Sequence, residues 1–449
     1  MHADILELSN KASKMIKSME KSTRFRIISH YDADGISAAG IISKTLHREG
    51  FDFHVTLMRN PFTKGLERIK NEENEIIIFS DMGSGQIEII EQLKCKAIIL
   101  DHHQIHKSKT NKNIIQINAN LCGINGNYEA SGATLAYSLA KTINPKNIDL
   151  APLALAGAIG DKQYIGGIRG HNKSVLNDAI KNNLLKKYIG LKMQDGSILN
   201  SIYYSVDPYY SGLSGDKEKI IEILNKLKIE PEQNTRKLEN KQIKKINSYL
   251  LLNLIKNDCE KNILETVIRD RYWSDYLQSE LERFADLLDA CGKGGHRGLG
   301  LSLCLGDKES YNEAIKIERE YKKQILKELL NLEKNGFIEK KSYRYFYSNN
   351  SSIGGVIGGI AINYISNNKK PLFSIVKKDD ELHISCRGTQ QLVKDGLDLG
   401  LAMRQIALDL NGNGGGHKIA AGATIQLNKE NDFLDKTEDI LSKQFEVKK

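Results

Sequence analysis

The sequence predicts an α/β fold. An N-terminal doubly wound parallel sheet is followed by a helical middle region and a smaller C-terminal α/β domain, expected to face the first across a cleft. Three observations predict this. Short apolar runs, Phe25-Arg-Ile-Ile-Ser, Ile76-Ile-Ile-Phe and Ala97-Ile-Ile-Leu, each end in a polar or glycine-rich segment. Runs of this length, rich in β-branched residues, read as buried parallel strands. Helix-like segments alternate with them, strand signals are few from 181 to 290, and an α/β pattern returns after residue 336. The expected division is 1–180, 181–290, 291–336 and 337–449.

Ile36 to Leu46 reads as a helix whose small residues Ala38, Ala39 and Gly40 permit close packing on a sheet. Ser131 reads as the N-cap of the next helix. Ala151 to Ile159 reads as a buried helix that delivers Asp161 at its end. From 181 to 290 the chain is rich in Lys, Asn and Leu with helical periodicity, and Pro231 marks a break before a helix from Thr235 to Leu254. Trp273 lies in an amphipathic stretch ending near Asp289. Leu299-Gly-Leu-Ser-Leu-Cys-Leu is a strand candidate. Ser310 to Glu333 predicts a long helix with Ala314, Ile317, Tyr321, Ile325, Leu329 and Leu332 on one stripe and Gly336 as its C-terminal cap. Tyr343 to Tyr347, Leu372 to Val376 and Leu382 to Cys386 read as strands.

The predicted strand ends carry the chemistry. His30-Tyr-Asp32-Ala-Asp34-Gly, Asp81, Asp101-His102-His103 and Asp161 form four clusters. In an open α/β sheet the loops at the carboxyl ends of the strands line one crevice. Five carboxylates and three imidazoles therefore converge there. Carboxylates do not gather without a cation to neutralise them, so the inference is a metal site for two ions. Taken alone, Asp32-Ala-Asp34-Gly35 would be an acidic turn capping a helix and Asp81 an Asx-turn; together they read as ligands. Asp81 is the candidate to bridge both ions, because one carboxylate offers two oxygens. Mixed oxygen and imidazole donors suit manganese, with magnesium as the alternative.

Composition sets outer bounds. The 449 residues exceed one ordinary domain. No apolar run reaches a membrane span, so no membrane partner is expected. Six scattered cysteines without a Cys-x-x-Cys pair argue against a zinc ribbon and for a reducing cytoplasm. The net charge of +9 is compatible with a polyanionic partner without requiring one.

The four clusters, in this order, resemble the motifs of the DHH phosphoesterase superfamily. Gly414-Gly415-Gly416-His417-Lys-Ile-Ala-Ala-Gly422 resembles the glycine–histidine signature of its associated C-terminal domain. Ser-Asp81-Met-Gly-Ser-Gly-Gln, Leu-Asp101-His-His, Ala-Gly-Ala-Ile-Gly-Asp161 and Leu-Leu-Asp289-Ala-Cys-Gly carry a closer likeness to archaeal RecJ-like nucleases. The resemblance implies one ion on His30, Asp32 and Asp81 and a second on Asp34, Asp81, His102 and Asp161. It places Asp101 behind the ligands as an orienting group, with His103 reaching the scissile phosphate as donor or proton carrier. His106 reads as a surface residue. Arg387 and the Gly414–His417 segment are expected to bind substrate phosphate, the glycines by close backbone approach. Gly294-Gly295-His296 is a weaker substrate candidate beside Lys293 and Arg297.

The implied activity is a manganese-dependent exonuclease acting on single-stranded DNA or RNA in replication or repair. Pyrophosphatases of the superfamily carry a Ser-Arg-Lys signature that is absent here. Oligoribonucleases and small-nucleotide phosphodiesterases remain alternatives. No OB-fold extension of the bacterial RecJ type is evident in these residues, so tight, long-track DNA binding is not expected of them. A second class is a replication scaffold associated with GINS proteins, since archaeal RecJ-like proteins are related to a replicative-helicase subunit that has lost its nuclease. A scaffold is expected to lack part of the ligand set; here every position is filled.

Overall fold

Five strands form the N-terminal sheet in a computed structural model that describes residues 4–59, 64–105, 110–192, 196–350, 353–366 and 369–446. His106 lies outside the described residues. The elements run α1 (Ile5–Lys17), β1 (Arg24–His30), α2 (Ala33–Arg48), β2 (Asp52–Met58), α3 (Lys64–Lys70), β3 (Ile76–Ser80), α4 (Ile87–Glu91), β4 (Lys96–Asp101), β5 (Ile114–Asn118), α5 (Gly132–Ile143), α6 (Ala151–Gly160) and α7 (Gly170–Lys181). The strand order is β2-β1-β3-β4-β5, with every pairing parallel. Ile27, Ile78 and Ile98 are fully buried in one core cluster under this sheet. Burying each such side chain contributes about 1.5–3 kcal/mol, before the cost of ordering the chain. In this strand order the chain reverses direction across the sheet between β1 and β3, so a crevice opens at their carboxyl ends.

The chain divides into two compact units, residues 1–190 with 269–318 and residues 191–268 with 319–449. Residues 181–290, expected as one helical region, are thus shared between them. This stretch also contains strands. Lys186–Leu191, Ile268–Ser274 and Ser279–Glu280 form a three-stranded sheet, and Trp273 lies in its central strand rather than on a helix. The sequence hides this strand because its inward residues include charge. Arg271 is buried and paired with Glu280 and Glu282, so the apolar alternation that marks a strand is missing.

Leu299 to Leu305 also differs from expectation: it belongs to the helix Arg297–Leu305, which ends at Gly306 in a left-handed conformation. This helix packs on α2, where a Cβ on Gly40 would sit 2.4 Å from Cys304 Cβ. Close helix packing thus overrides an alternating apolar pattern. The helix expected from Thr235 begins later, as Asn240–Lys256, after a short 3₁₀ turn. The long helix spans Glu309–Asn335, with Gly336 N–H donating to Leu332 O at 2.8 Å.

In the second unit a six-stranded sheet runs Asn413–Gly416, Ala420–Gln426, Glu381–Arg387, Leu372–Lys378, Arg344–Tyr347, Ile338–Glu339. Only the Leu372–Lys378 and Arg344–Tyr347 pairing is parallel. Helices Gly354–Tyr364, Leu399–Asp409 and Glu430–Glu446 accompany it.

Candidate metal centre

β1 delivers His30 at its last residue, β3 ends one residue before Asp81, and β4 ends at Asp101. Asp161 caps the C-terminus of α6. These four points meet at the carboxyl ends of the central strands.

Asp32 serves two purposes at once. One oxygen accepts from Gly35 N–H at 3.1 Å as the N-cap of α2. The other lies 2.9 Å from His30 Nδ1. The capping turn and the ligand reading are therefore compatible. Asp34 is fully buried, and its carboxylate sits on the N-terminus of α5, accepting from Gly132 N–H at 2.7 Å and Ala133 N–H at 3.0 Å. A helix N-terminus favours negative charge.

Asp81 faces both sides. Its Oδ2 is 3.4 Å from His30 Nδ1 and its Oδ1 is 3.0 Å from His102 Nε2. His102 Nε2 is also 3.2 Å from Asp161 Oδ2 and 3.8 Å from Asp34 Oδ2. Three donor sets result: His30, Asp32 and Asp81; Asp34, His102 and Asp161; and Asp81, His102 and His103, the donor atoms within each lying within 4.8 Å of one another. Asp101 stands behind them. It accepts from the backbone N–H groups of Ser84, His102 and His103 and lies 2.8 Å from His103 Nδ1. The His103 side chain is 46% exposed, whereas Asp101 is 1% exposed. Only His103 of this pair faces solvent.

The protonation pattern describes a site built for positive charge. Burial pushes the Asp34 carboxyl up to about 7, with Asp81 adding to the shift and His102 opposing it. Burial and Asp34 push Asp161 well above the carboxylate range. Burial opposes a charge on His30, but Asp32 and Asp81 win and raise it to about 12. His102 is likewise held well above its ordinary value against burial by Asp81, Asp161 and Asp34. Burial works against ionised Asp32, but His30 and Lys293 hold it below the usual range. Without cations the centre holds its charge with protons on imidazoles and carboxyls. Divalent ions supply the same charge without them, so the donor set fits divalent metal.

The sequence reading gave no role to Asp289. Its Oδ1 accepts from Ala33 N–H at 2.9 Å, and its Oδ2 pairs with Lys293 at 2.6 Å. It thereby helps fix the turn holding Asp32 and Asp34. Asn118 was missed as well. It donates to Ser84 Oγ at 2.8 Å and to His103 O at 3.0 Å, pinning the Asp101–His103 segment. Both look in sequence like ordinary polar residues; only the fold brings them under the motifs. His296 is exposed beside the start of the helix Arg297–Leu305. Gly292 packs on the Tyr31 carbonyl, where a Cβ would lie 1.7 Å from the oxygen.

In the second unit, Arg387 ends the strand Glu381–Arg387 and pairs in register with Ala420, next to the Gly416–Ala421 pair. The sheet thus brings Arg387 and the glycine motif to the same end of three successive strands. Its guanidinium lies over Gly355, whose Cβ would sit 2.7 Å from Nη2. Burial lowers its pKa, and among the described residues no carboxylate pairs with it. Gly414 to Gly416 form a paired strand rather than an open loop. Gly414 is required by packing, since a Cβ would lie 2.4 Å from Met403 O. At Gly415 a Cβ would meet nothing within 4 Å, so of these two glycines only Gly415 leaves space for a ligand. His417 follows the strand and is exposed.

Fold and centre define the class: a doubly wound α/β domain with an acidic–histidine centre suited to divalent metal, joined in one chain to a mixed-sheet domain. Two family patterns match it. The DHH family N-terminal domain matches residues 24–158, and the DHHA1 domain matches residues 342–443. A Methanocaldococcus jannaschii protein described as uncharacterized is 32% identical over 426 residues, covering 93% of each chain. The chain belongs to the DHH family and has a RecJ-like fold. RecJ of Thermus thermophilus in complex with Mn2+ superposes with a TM-score of 0.61 at 16% identity, over 97% of this chain and 55% of that one. This chain therefore spans just over half the length of that RecJ. CDC45 from Entamoeba histolytica gives a TM-score of 0.66 at 14% identity, over 98% of each chain. Among the described residues no helix is long and apolar enough to cross a membrane.

Proposed function

We propose that the protein is a divalent-metal-dependent phosphodiesterase that removes nucleotides from an end of single-stranded DNA or RNA. The observation that carries this reading is the set His30, Asp32 and Asp81 beside the set Asp34, His102 and Asp161, with Asp81 reaching His30 on one side and His102 on the other. His30, Asp32 and Asp81 would hold one ion; Asp34, Asp81, His102 and Asp161 would hold the other. Such ions, when bound, lower the pKa of water and neutralise charge on the phosphoryl oxygens. Manganese is the preferred metal, because imidazole and carboxylate donors occur together.

The remaining residues bind and orient. Asp101 accepts from Nδ1 of His103 and, against burial, raises its pKa, so that in the imidazolium form Nε2–H can donate to a substrate phosphate or carry a proton to the leaving oxygen. Arg387 offers a guanidinium without a carboxylate partner among the described residues to a second phosphate. Gly415 and His417 offer backbone and imidazole donors beside it.

End-labelled single-stranded DNA and RNA, incubated with the protein and Mn2+, test this directly. The expected products are mononucleotides from one end, and none after exhaustive chelation. Equal hydrolysis in the chelated sample would overturn the reading. The likeness to CDC45 favours a second reading, a replication scaffold with GINS proteins as partners. Mn2+-dependent turnover supports the enzyme, whereas GINS binding by a protein without turnover supports the scaffold.

A further inference from the structure

His102 is the imidazole of the second donor set, and what fixes its ring lies outside every motif. Its Nδ1 is 2.6 Å from the carbonyl oxygen of Gly126. A carbonyl can only accept, so Nδ1 carries the hydrogen and Nε2 faces Asp81, Asp161 and Asp34. The Gly126 carbonyl is itself held. Gln163 Nε2 donates to it at 3.0 Å and to Ala130 O at 3.0 Å. Gln163 is 2% exposed, and it lies two residues after Asp161.

The orientation of each amide in this chain is forced. Both carbonyls accept, so the Gln163 NH₂ must face them and its Oε1 must face away. Asn172, which is fully buried, donates to that Oε1 at 2.6 Å. Its own Oδ1 is then left to accept from Thr134 Oγ1 at 2.9 Å. Thr134 belongs to the capping box at the start of α5, the same helix end that holds Asp34. One continuous polar chain therefore runs from the start of α5, which donates to Asp34, through Thr134, Asn172, Gln163 and Gly126 to His102.

We propose that Gln163 and Asn172 are positioning residues for the metal centre. Together they fix the Gly126 carbonyl and, through it, the tautomer and ring direction of His102, and they couple that ring to the α5 helix end that donates to Asp34. Ligating histidines depend on such a hydrogen bond at the far nitrogen, and its loss costs about 10–100-fold in metal affinity. This inference rests on the metal-site reading above.

The test is Mn2+ titration calorimetry on the full chain, comparing wild type with Gln163→Met and Asn172→Asp. Methionine keeps the volume and removes the donors. Aspartate keeps the shape and presents an acceptor to Gln163 Oε1. Both are expected to bind Mn2+ about 10–100-fold more weakly at the site containing His102. Histidine ring ¹⁵N spectra of the Mg2+-loaded wild type should show Nδ1 of His102 protonated, and that signal should exchange faster with solvent in the folded variants. Folded variants with unchanged Mn2+ affinity overturn the proposal. If neither variant folds, the wild-type spectrum decides: a bare Nδ1 on His102 overturns it. Wild-type protein that takes up no Mn2+ at all instead defeats the metal-site reading.

Discussion

Asp81 occupies the left-handed backbone region with φ 56°. Aspartate is among the few non-glycine residues that tolerate it, and such conformations cost of order 1–3 kcal/mol where they are strained. The surrounding structure holds it there: its N–H donates to Leu100 O at 2.7 Å, and Gly132 packs against its Cβ. Asp81→Ala should abolish turnover and remove or merge the two Mn2+ binding events in calorimetry. His417→Ala should leave both events intact and raise the substrate KM. An Asp81→Ala protein that binds two ions with unchanged affinity refutes the bridging assignment. The same residues set a pH dependence. Asp34 and Asp161 titrate above their unfolded values, as do His30 and His102. A raised folded pKa means stability that is present at low pH and lost as pH rises through that pKa. Asp32 and Asp101 are shifted down and are ionised throughout this window. Metal-free protein should therefore lose thermal stability from about pH 5 to pH 8, while added Mn2+ restores it more at the higher pH. A Tm gain from Mn2+ that shrinks between those values contradicts this.

At the scale of elements, the N-terminus of α5 does what a motif search does not reveal. It supplies two N–H donors to Asp34 and places Gly132 where a Cβ would lie 2.6 Å from Asp81 Cβ and 3.1 Å from Asp34 Oδ2. Gly132→Ala is expected to displace the helix end and lower turnover by about 10²-fold, the scale of a roughly 1 Å misplacement. Far-UV circular dichroism should stay native, because the core of α5 (Ala133, Leu135, Ala136 and Leu139) is untouched. Wild-type turnover in the alanine variant would show that the centre does not depend on this contact. The helix Arg297–Leu305 carries the opposite lesson. Its alternating leucines suggested a strand, yet packing on Gly40 decided the outcome.

Across the whole molecule, a net charge of +9 is compatible with a polyanion, and the proposed function gives one of its phosphates to Arg387. If binding uses Lys and Arg contacts to phosphates, the apparent Kd should rise steeply as salt is raised from 50 to 200 mM, by about 10³-fold or more for six or more contacts. Digestion from an end further requires that linear single strands be cut much faster than circular ones. Equal rates on both, measured in Mn2+ with matched sequences, would remove end recognition from the proposal.

The sequence alone determined the parallel strands β1, β3 and β4, the helices α2, α5 and α6 and the acidic–histidine clusters at the strand ends. Each of these depends on local periodicity or on residues adjacent in the chain. Asp32, Asp34, Asp81, His102 and Asp161 could be named because chemistry confined to a few residue types leaves a visible pattern. Tertiary structure decided the rest. The strand Ile268–Ser274 was hidden because Arg271 is buried by pairing with Glu280 and Glu282, contacts that no hydrophobic pattern encodes. Gly414 to Gly416 became a paired strand because Ala420–Gln426 aligns with it and the helix Leu399–Asp409 leaves no room for a side chain at Gly414. Asp289, Asn118, Gln163 and Asn172 support the centre from positions distant in sequence or outside its motifs. Their amide and carboxylate groups are common on any surface, and only the folded chain turns them inward to hold the residues that the motifs supply.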